Sequence, residues 1–405
     1  MSDTAENDQT TTKSNQTDLL HSGAYLYLIL NFLHFTALNA SRPYFSLLAS
    51  ENNAGIIGVG IITSLYSIGQ VLLAMPIGRL IDRIGSKAPV IWGTVMFIVG
   101  VSGLAFSRHL LLITFFIMMV GLSHVVILLG GQSVMTAVPA GESRNRFVGL
   151  HTFANSAGSF VGPIIGGYLQ DRWGTNFGYF GAVIIGVLCT FVAIASPQNR
   201  NKLDRSDDKG IRSVLKNRQI IRIIVVSGIV LFSIEVTLSY FPMYGSEIGL
   251  STVAIGTILS VRGMAQMIIR PFLKNLIAWF RRDRIMIFSL VFGGLSIVMY
   301  GLLNTYWALI LAAGFSGITL GLAMPLTLLA VSDVAPRDQS SQVLALRVMG
   351  NYLGQSVSPL IFGLLGTLLG LAPVFWISGG ILVLSTKLLL PGIKIRPGIV
   401  KRFKS

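Results

Sequence analysis

Long apolar runs separated by short polar turns organise this chain. Residues 88–107 form one charge-free stretch, close to the ~20 apolar residues that a helix needs to cross a bilayer. Residues 285–332 form another, 48 residues long, which is too much for one crossing and divides into two helices at Asn304-Thr305. Residues 348–386 divide likewise at Gly370-Leu371-Ala372-Pro373. The same ruler predicts twelve spans, at about 24–46, 55–80, 88–108, 110–138, 145–169, 175–196, 220–245, 252–277, 284–304, 306–332, 341–368 and 372–391. The longest polar interruption, residues 197–219, separates six spans from six.

The predicted organisation is an all-α integral membrane protein of twelve transmembrane helices in two pseudo-symmetric six-helix bundles. A disordered cytoplasmic tail covers 1–23, polar and rich in Thr and Asn, with no apolar core of a cleavable signal. The first bundle covers 24–196, a cytoplasmic linker 197–219, the second bundle 220–391 and a basic cytoplasmic tail 392–405.

A constant shift of 196 residues aligns the two halves without a gap. Gly60, Ser64 and Gln70 fall on Gly256, Ser260 and Gln266; Gly121 falls on Gly317; Asn155, Gly158 and Pro163 fall on Asn351, Gly354 and Pro359. Any one of these matches is weak. One shift that holds from the first span to the eleventh is not. Two like-oriented halves suit a transporter that exposes one central site alternately to each side.

Composition agrees with the pattern. Of the 405 residues 52 % are apolar and 12 % charged, against about 25 % charged in a soluble domain. Soluble enzymes and disordered chains are excluded. The single cysteine, Cys189, rules out an intramolecular disulfide and reads as packing. The net charge of +15 would suggest nucleic acid in a soluble protein. Here position decides: 25 of the 31 Lys and Arg fall on one side of the predicted spans, and only Arg108 and Arg172 in loops on the other. The positive-inside rule then puts both termini in the cytoplasm. The charge is topology, and the expected partner is the lipid bilayer of the cell membrane, not nucleic acid.

Between spans 2 and 3 the chain reads GRLIDRIGSK, Gly78 to Lys87. Gly78 suits a close helix approach. Asp82 and Arg83 lie at the cytoplasmic rim, where Asp82 is placed to accept from a helix N-terminus or a neighbouring Arg. The bland alternative is a tight basic turn. Span 5 contains GSFVGPIIGG, in which Gly158, Gly162 and Gly166 recur every four residues on one face, beside Gly167, with Pro163 as a bend. Plain helix packing explains that face equally well.

The first of these stretches resembles the loop 2–3 signature of the major facilitator superfamily, carried by Gly78, Asp82, Arg83, Gly85 and Lys87. The second is similar to the antiporter motif of that superfamily's drug and metabolite exporters. The resemblance spans nearly the whole chain. It implies the twelve-helix fold, a gating role for loop 2–3 and transport by alternating access. Two departures stand out. The helix 4 Arg of such exporters is replaced by Ile117, and loop 8–9 lacks a second copy of the signature.

Ionisable residues at membrane depth cost at least ~2.5–3.5 kcal/mol at a helix centre and are functional candidates by default. Glu235 is the one acid deep inside a predicted span, and Arg262 lies at matching depth in the next span. At about 1.5 Å per residue both fall roughly 15 Å from the outer surface. They are the expected proton-coupling pair; the alternative is a buried pair that only fixes packing. The repeat places Asn39 where Glu235 stands, which makes Asn39 a candidate substrate contact. Arg270 and Arg347 sit nearer the cytoplasm and either face the cavity or snorkel to headgroups. Arg347 corresponds to His151. His124 and His151 are candidates to titrate near neutral pH, with a helix-to-helix hydrogen bond as the ordinary alternative; His34 lies five residues before Asn39 and is read as facing elsewhere.

The expected function is therefore proton-coupled export of a small organic solute. An anionic or zwitterionic metabolite, such as a carboxylate metal chelator, fits the Arg-rich set Arg262, Arg270 and Arg347 with Glu235, Asn39 and His151. A multidrug efflux pump, an uptake symporter of an organic anion and a lipid flippase are the alternatives on the same fold. No cofactor, resident metal or enzyme constellation is encoded, and a monomer is expected.

Overall fold

A computed structural model describes residues 23–137, 142–197, 217–334 and 340–389. The tails expected at 1–23 (apart from residue 23) and 392–405, and most of the linker expected at 197–219, lie outside the described residues. Twelve long helical elements, and no strand, occur among the described residues.

The first half runs α1 (residues 23–51), α2 (Ile56–Ile84), α3 (Lys87–Phe106), α4 (Leu110–Ala137), α5 (Glu142–Trp173) and α6 (Thr175–Ala195). The second runs α7 (Arg218–Glu247), α8 (Thr252–Ile269, continued to Trp279), α9 (Arg282–Leu302), α10 (Tyr306–Val334), α11 (Ser340–Leu369) and α12 (Leu371–Leu384). Two elements break where proline removes an N–H from the helical ladder. In α1 a 3-10 turn at Arg42–Tyr44 holds Pro43, and in α8 one at Arg270–Phe272 holds Pro271. Asn217 caps α7 by accepting from the N–H groups of Gln219 and Ile220.

Ten of these helices are long and apolar enough to cross a membrane. α1 and α5 are the other two. Both are diluted by small and polar residues, among them Asn31, His34 and Asn39 in α1 and His151, Asn155 and the glycines in α5.

The repeat read from the sequence is a repeat of backbone geometry. Gly174 and Gly370, 196 residues apart, are the N-cap residues of α6 and α12, with φ of 99° and 88°. Asn53 and Gly249, at the same separation, turn the chain into α2 and α8 with φ of 64° and 84°. These left-handed conformations favour residues without a bulky Cβ.

The contacts divide into two compact units. One holds the described residues up to Arg42 with Leu72–Leu203; the other holds Pro43–Val71 with the described residues from Asp204 onward. In the first, α3 packs on α4 and α6. Its interior includes Tyr27, Leu30, Val90, Ile127, Phe147 and Cys189, and the Cys189 thiol donates to the Leu30 carbonyl at 3.4 Å. In the second, α9 packs on α10 and α12, as the repeat requires, and α8 packs on α10. Its share of α2 lies against α11: a Cβ at Gly60 would stand 2.9 Å from Gly363 Cα.

The tightest equivalence joins the first and fifth helices of each half. A Cβ on Gly158 of α5 would come 2.8 Å from the Thr36 nitrogen and 2.9 Å from the Phe32 carbonyl of α1. A Cβ on Gly354 of α11 would come 2.5 Å from the carbonyl of Gly228, the counterpart of Phe32. Gly162 meets Thr36 in the same way, and its counterpart Ser358 donates to the carbonyl of Phe232 at 2.8 Å. Backbone contacts of this kind hold helices together where lipid removes the hydrophobic drive between them.

Gly158→Leu and Gly354→Leu should each lower the thermal unfolding midpoint of the purified protein, since overpacking against backbone costs ~1–3 kcal/mol or more. Gly380→Ala, at a position with nothing within 4 Å, should leave the midpoint unchanged.

Candidate functional site

Polar side chains along α7 and α11 build a buried cluster in the second unit. Glu235 is 3 % exposed. Its Oε1 accepts from Ser239 Oγ, one turn along α7, and its Oε2 from Gln355 Nε2 of α11, both at 3.0 Å. Arg262 of α8 is buried in the same unit. At 1.5 Å per residue, Ser227 lies roughly 12 Å from Glu235 along α7. Ser227 donates to Asn351 Oδ1 at 2.8 Å and receives from Thr327 Oγ1 of α10 at 3.3 Å. Arg347 completes this second group: its Nη2 donates to Thr327 Oγ1 at 2.9 Å and to the Met324 carbonyl at 3.0 Å.

Both acceptors on Arg347 are neutral. Its Nε is buried without a hydrogen-bond partner, and no carboxylate pairs with it among the described residues. Arg347 is 6 % exposed. An ion buried without a counter-charge carries a desolvation cost that neutral hydrogen bonds only partly offset. Arg270 differs: it is half-buried, at the 3-10 turn where α8 breaks before Pro271.

The first unit carries the matching cluster with different chemistry. Asn31 donates to Asn155 Oδ1, as its counterpart Ser227 donates to Asn351. Asn39 donates to Ser159 Oγ at 3.4 Å, where the counterpart residues are Glu235 and Gln355. Asn39 also donates to the Phe35 carbonyl at 2.8 Å. His151, the counterpart of Arg347, is buried with Nδ1 unpartnered, and its carbonyl accepts from Asn31 at 3.4 Å. Five polar positions thus match between the halves, with the charged Glu235 and Arg347 in the second, while Ser239 and Thr327 have Pro43 and Gly131 as counterparts.

Loop 2–3 is formed by the end of α2, Gly85 with φ of 90°, and Lys87 at the start of α3. Tyr27 of α1 donates to Ser86 Oγ at 3.2 Å. Asp82 and Arg83 are exposed, and among the described residues neither makes a hydrogen bond or ion pair; a Cβ on Gly78 would meet nothing within 4 Å. The close approach expected at Gly78 and the clasp expected at Asp82 are therefore not made to described residues. The face of Gly158 and Gly162 is filled by α1, and Pro163, Gly166 and Gly167 are buried beside it.

Sequence reasoning missed several partners. Gln355, Ser239, Ser227, Thr327 and Asn351 are uncharged and common in helices, so nothing marked them except the repeat, which pairs Asn39–Ser159 with Glu235–Gln355. It also missed an ion pair between Arg282 at the start of α9 and Asp333 at the end of α10. Asp333 is the lone acid in its helix, a signal that was present in the sequence. Finally, His34 and His124 are hydrogen-bonded to each other, which no reading of separate spans reveals.

The Major Facilitator Superfamily model matches residues 27–300 and 225–398. An uncharacterized MFS-type transporter of Methanocaldococcus jannaschii is 21 % identical over 370 residues, covering 88 % of this chain and 94 % of the relative. Multidrug resistance protein 1 of Bacillus subtilis is 21 % identical over 344 residues, covering 82 % of this chain and 87 % of the relative. The solved nucleoside transporter NupG matches with a TM-score of 0.76 at 12 % identity, over 91 % of this chain and 99 % of that one. The peptide transporter POT in complex with sulfate matches with a TM-score of 0.74 at 15 % identity, over 91 % and 93 %. These two structures support the fold alone. With its twelve helices, its internal repeat and a family match over nearly its whole length, the chain belongs to the Major Facilitator Superfamily: a multi-pass membrane transporter of small molecules, not an enzyme.

Proposed function

We propose that this transporter exports a small anionic or zwitterionic metabolite in exchange for protons. The observation that carries the reading is the buried polar system of the second unit, with a carboxylate at Glu235 and cations at Arg262 and Arg347. A buried guanidinium whose partners among the described residues are neutral is suited to a carboxylate or phosphate that arrives with the substrate. A carboxylate metal chelator is one such molecule. Arg347 is the substrate's fork in this reading, and Arg262 and Arg270 contribute to the same field.

Glu235 is the proton-coupling group. Ser239 and Gln355 donate hydrogen bonds to its carboxyl group, and Arg262 is the cation assigned to it in this reading. When the anion competes for the cation, the balance moves toward the protonated acid. Exchange then follows from one rule: the site carries a proton or the anion, and each leaves on the side where it is scarce. Loop 2–3, with Asp82 and Arg83, gates the cytoplasmic side, and the protein works as a monomer in the cell membrane with both termini inside.

The names of several relatives favour a second reading, a multidrug efflux pump for amphipathic drugs. Thermal shift of the purified protein separates the two. Citrate should raise the unfolding midpoint, Arg347→Gln should abolish that rise, and ethidium should leave the midpoint unchanged. Stabilisation by ethidium with no response to citrate would replace the first reading by the second.

Glu235→Gln should remove uptake driven by a pH gradient in inside-out vesicles, while counterflow of the same probe persists. Pumping that survives in Glu235→Gln excludes the coupling role. A fluorescent reporter fused after Ser405 should be fluorescent in intact cells, as cytoplasmic folding requires; a dark, externally accessible reporter would reverse the orientation.

A further inference from the structure

His34 and His124 take no part in the clusters above. α1 and α4 bring them together with His34 Nε2 2.9 Å from His124 Nδ1, ring centroids 5.2 Å apart and ring planes within 18°. Phe97 of α3 meets the His34 ring edge-on at 5.3 Å, and Phe35 meets the His124 ring at 5.5 Å. His34 is fully buried and His124 half-buried.

The repeat shows what packing at these places needs. The positions 196 residues further along are Val230 and Leu320, both buried in the second unit. An aliphatic pair serves there, so the fold does not demand imidazoles. Burying two polar rings is unfavourable compared with burying Val and Leu, and one hydrogen bond returns only part of that. What the imidazoles add is the capacity to hold a proton.

We propose that the His34–His124 pair is a proton-carrying site of the first unit, holding one added proton on a hydrogen bond that joins α1 to α4. The site is separate from Glu235; its use in transport rests on the antiport reading.

The chemistry follows from the facing nitrogens. In the neutral pair one of them carries hydrogen and the other offers a lone pair. If His34 donates from Nε2, its Nδ1 is bare and the His124 proton lies on Nε2. If His124 donates from Nδ1, its Nε2 is bare and the His34 proton lies on Nδ1. A proton that binds the bare outer nitrogen gives an imidazolium donating to an imidazole, a charge-assisted bond. A second added proton would set two N–H groups face to face, so the pair holds one. When the bridging proton moves across to the facing nitrogen and the second ring then loses the proton from its outer nitrogen, the pair is left in the opposite tautomer, and one proton has passed from one helix to the other.

The other titratable or charged groups on the elements around the pair are few. Arg42 of α1 is a cation close enough to oppose a positive charge on His124. Cys189 of α6 is engaged with the Leu30 carbonyl. His151 of α5 lies beside Asn31. Along α3 the one charged group is Lys87 at its start, and α4 contributes His124 alone.

The test uses the full chain in lipid nanodiscs with 15N-labelled imidazoles, titrated between about pH 8 and pH 5, the range in which histidine changes charge. We expect coupling across the Nε2···Nδ1 bond and a single titration step shared by both rings. The double variant His34→Val with His124→Leu copies the second unit's residues. It should keep the wild-type thermal midpoint and take up one proton fewer per chain over the same range. Rings that stay neutral throughout, or a double variant that binds as many protons as wild type, would overturn the proposal. If the double variant does not fold, the wild-type spectra decide alone. Glu235→Gln measured in parallel separates the two sites: loss of a proton there but not in the double variant removes the histidine site and leaves Glu235. The reverse removes the Glu235 reading and leaves this one.

Discussion

The approach of α5 to α1, and of α11 to α7, is the contact on which the polar chemistry of this protein depends. Gly158 and Gly354 let backbone meet backbone, and only at that separation do the short side chains beside them reach one another. Asn31 meets Asn155, Asn39 meets Ser159, Ser227 meets Asn351 and Gln355 meets Glu235 because the helices are already close. In an apolar medium a polar group without such a partner is costly, so the small residues and the polar pairs form one design. The glycine face of span 5 therefore has a packing role in this structure, whatever it adds to direction of transport.

Two halves built on one scaffold also show where function departs from packing. Where the repeat keeps an apolar residue apolar, the position is filling space. Where it exchanges Asn39 for Glu235, Ser159 for Gln355 or His151 for Arg347 at the same depth, the geometry is held and the charge is changed. The exchanges concentrate a carboxylate and buried cations in the second half and a bonded histidine pair in the first. The two halves thus carry different polar groups on matching backbone.

The rims follow the same logic. Loop 2–3 carries the family-like signature with Gly85 in the left-handed conformation. Loop 8–9 lost the signature, and its counterpart of Gly85, Arg281, has an ordinary negative φ of −61°. In its place Arg282 pairs with Asp333 and also reaches the Leu326 carbonyl. Exposed ion pairs contribute little stability; this one ties the ends of α9 and α10 together within a single unit.

The sequence alone determined the membrane class, the number of helices, the repeat and the family. Charge-free length sets how many times a chain can cross lipid, and a constant register shift survives as backbone geometry, down to Gly174 and Gly370 at equivalent turns. It also singled out Glu235 and Arg347, because a charge inside an apolar run stands out by itself. Tertiary structure alone decided the partners. Whether Arg347 meets a carboxylate, whether Glu235 is held by Ser239 and Gln355, and whether His34 touches His124 depend on how helices rotate and tilt against each other. Rotation by one residue turns a side chain through about a quarter of the helix circumference, and the long apolar spans carry too little periodic contrast to fix it. The small residues that set the rotation act through shape, which a linear pattern of apolar and polar positions does not record.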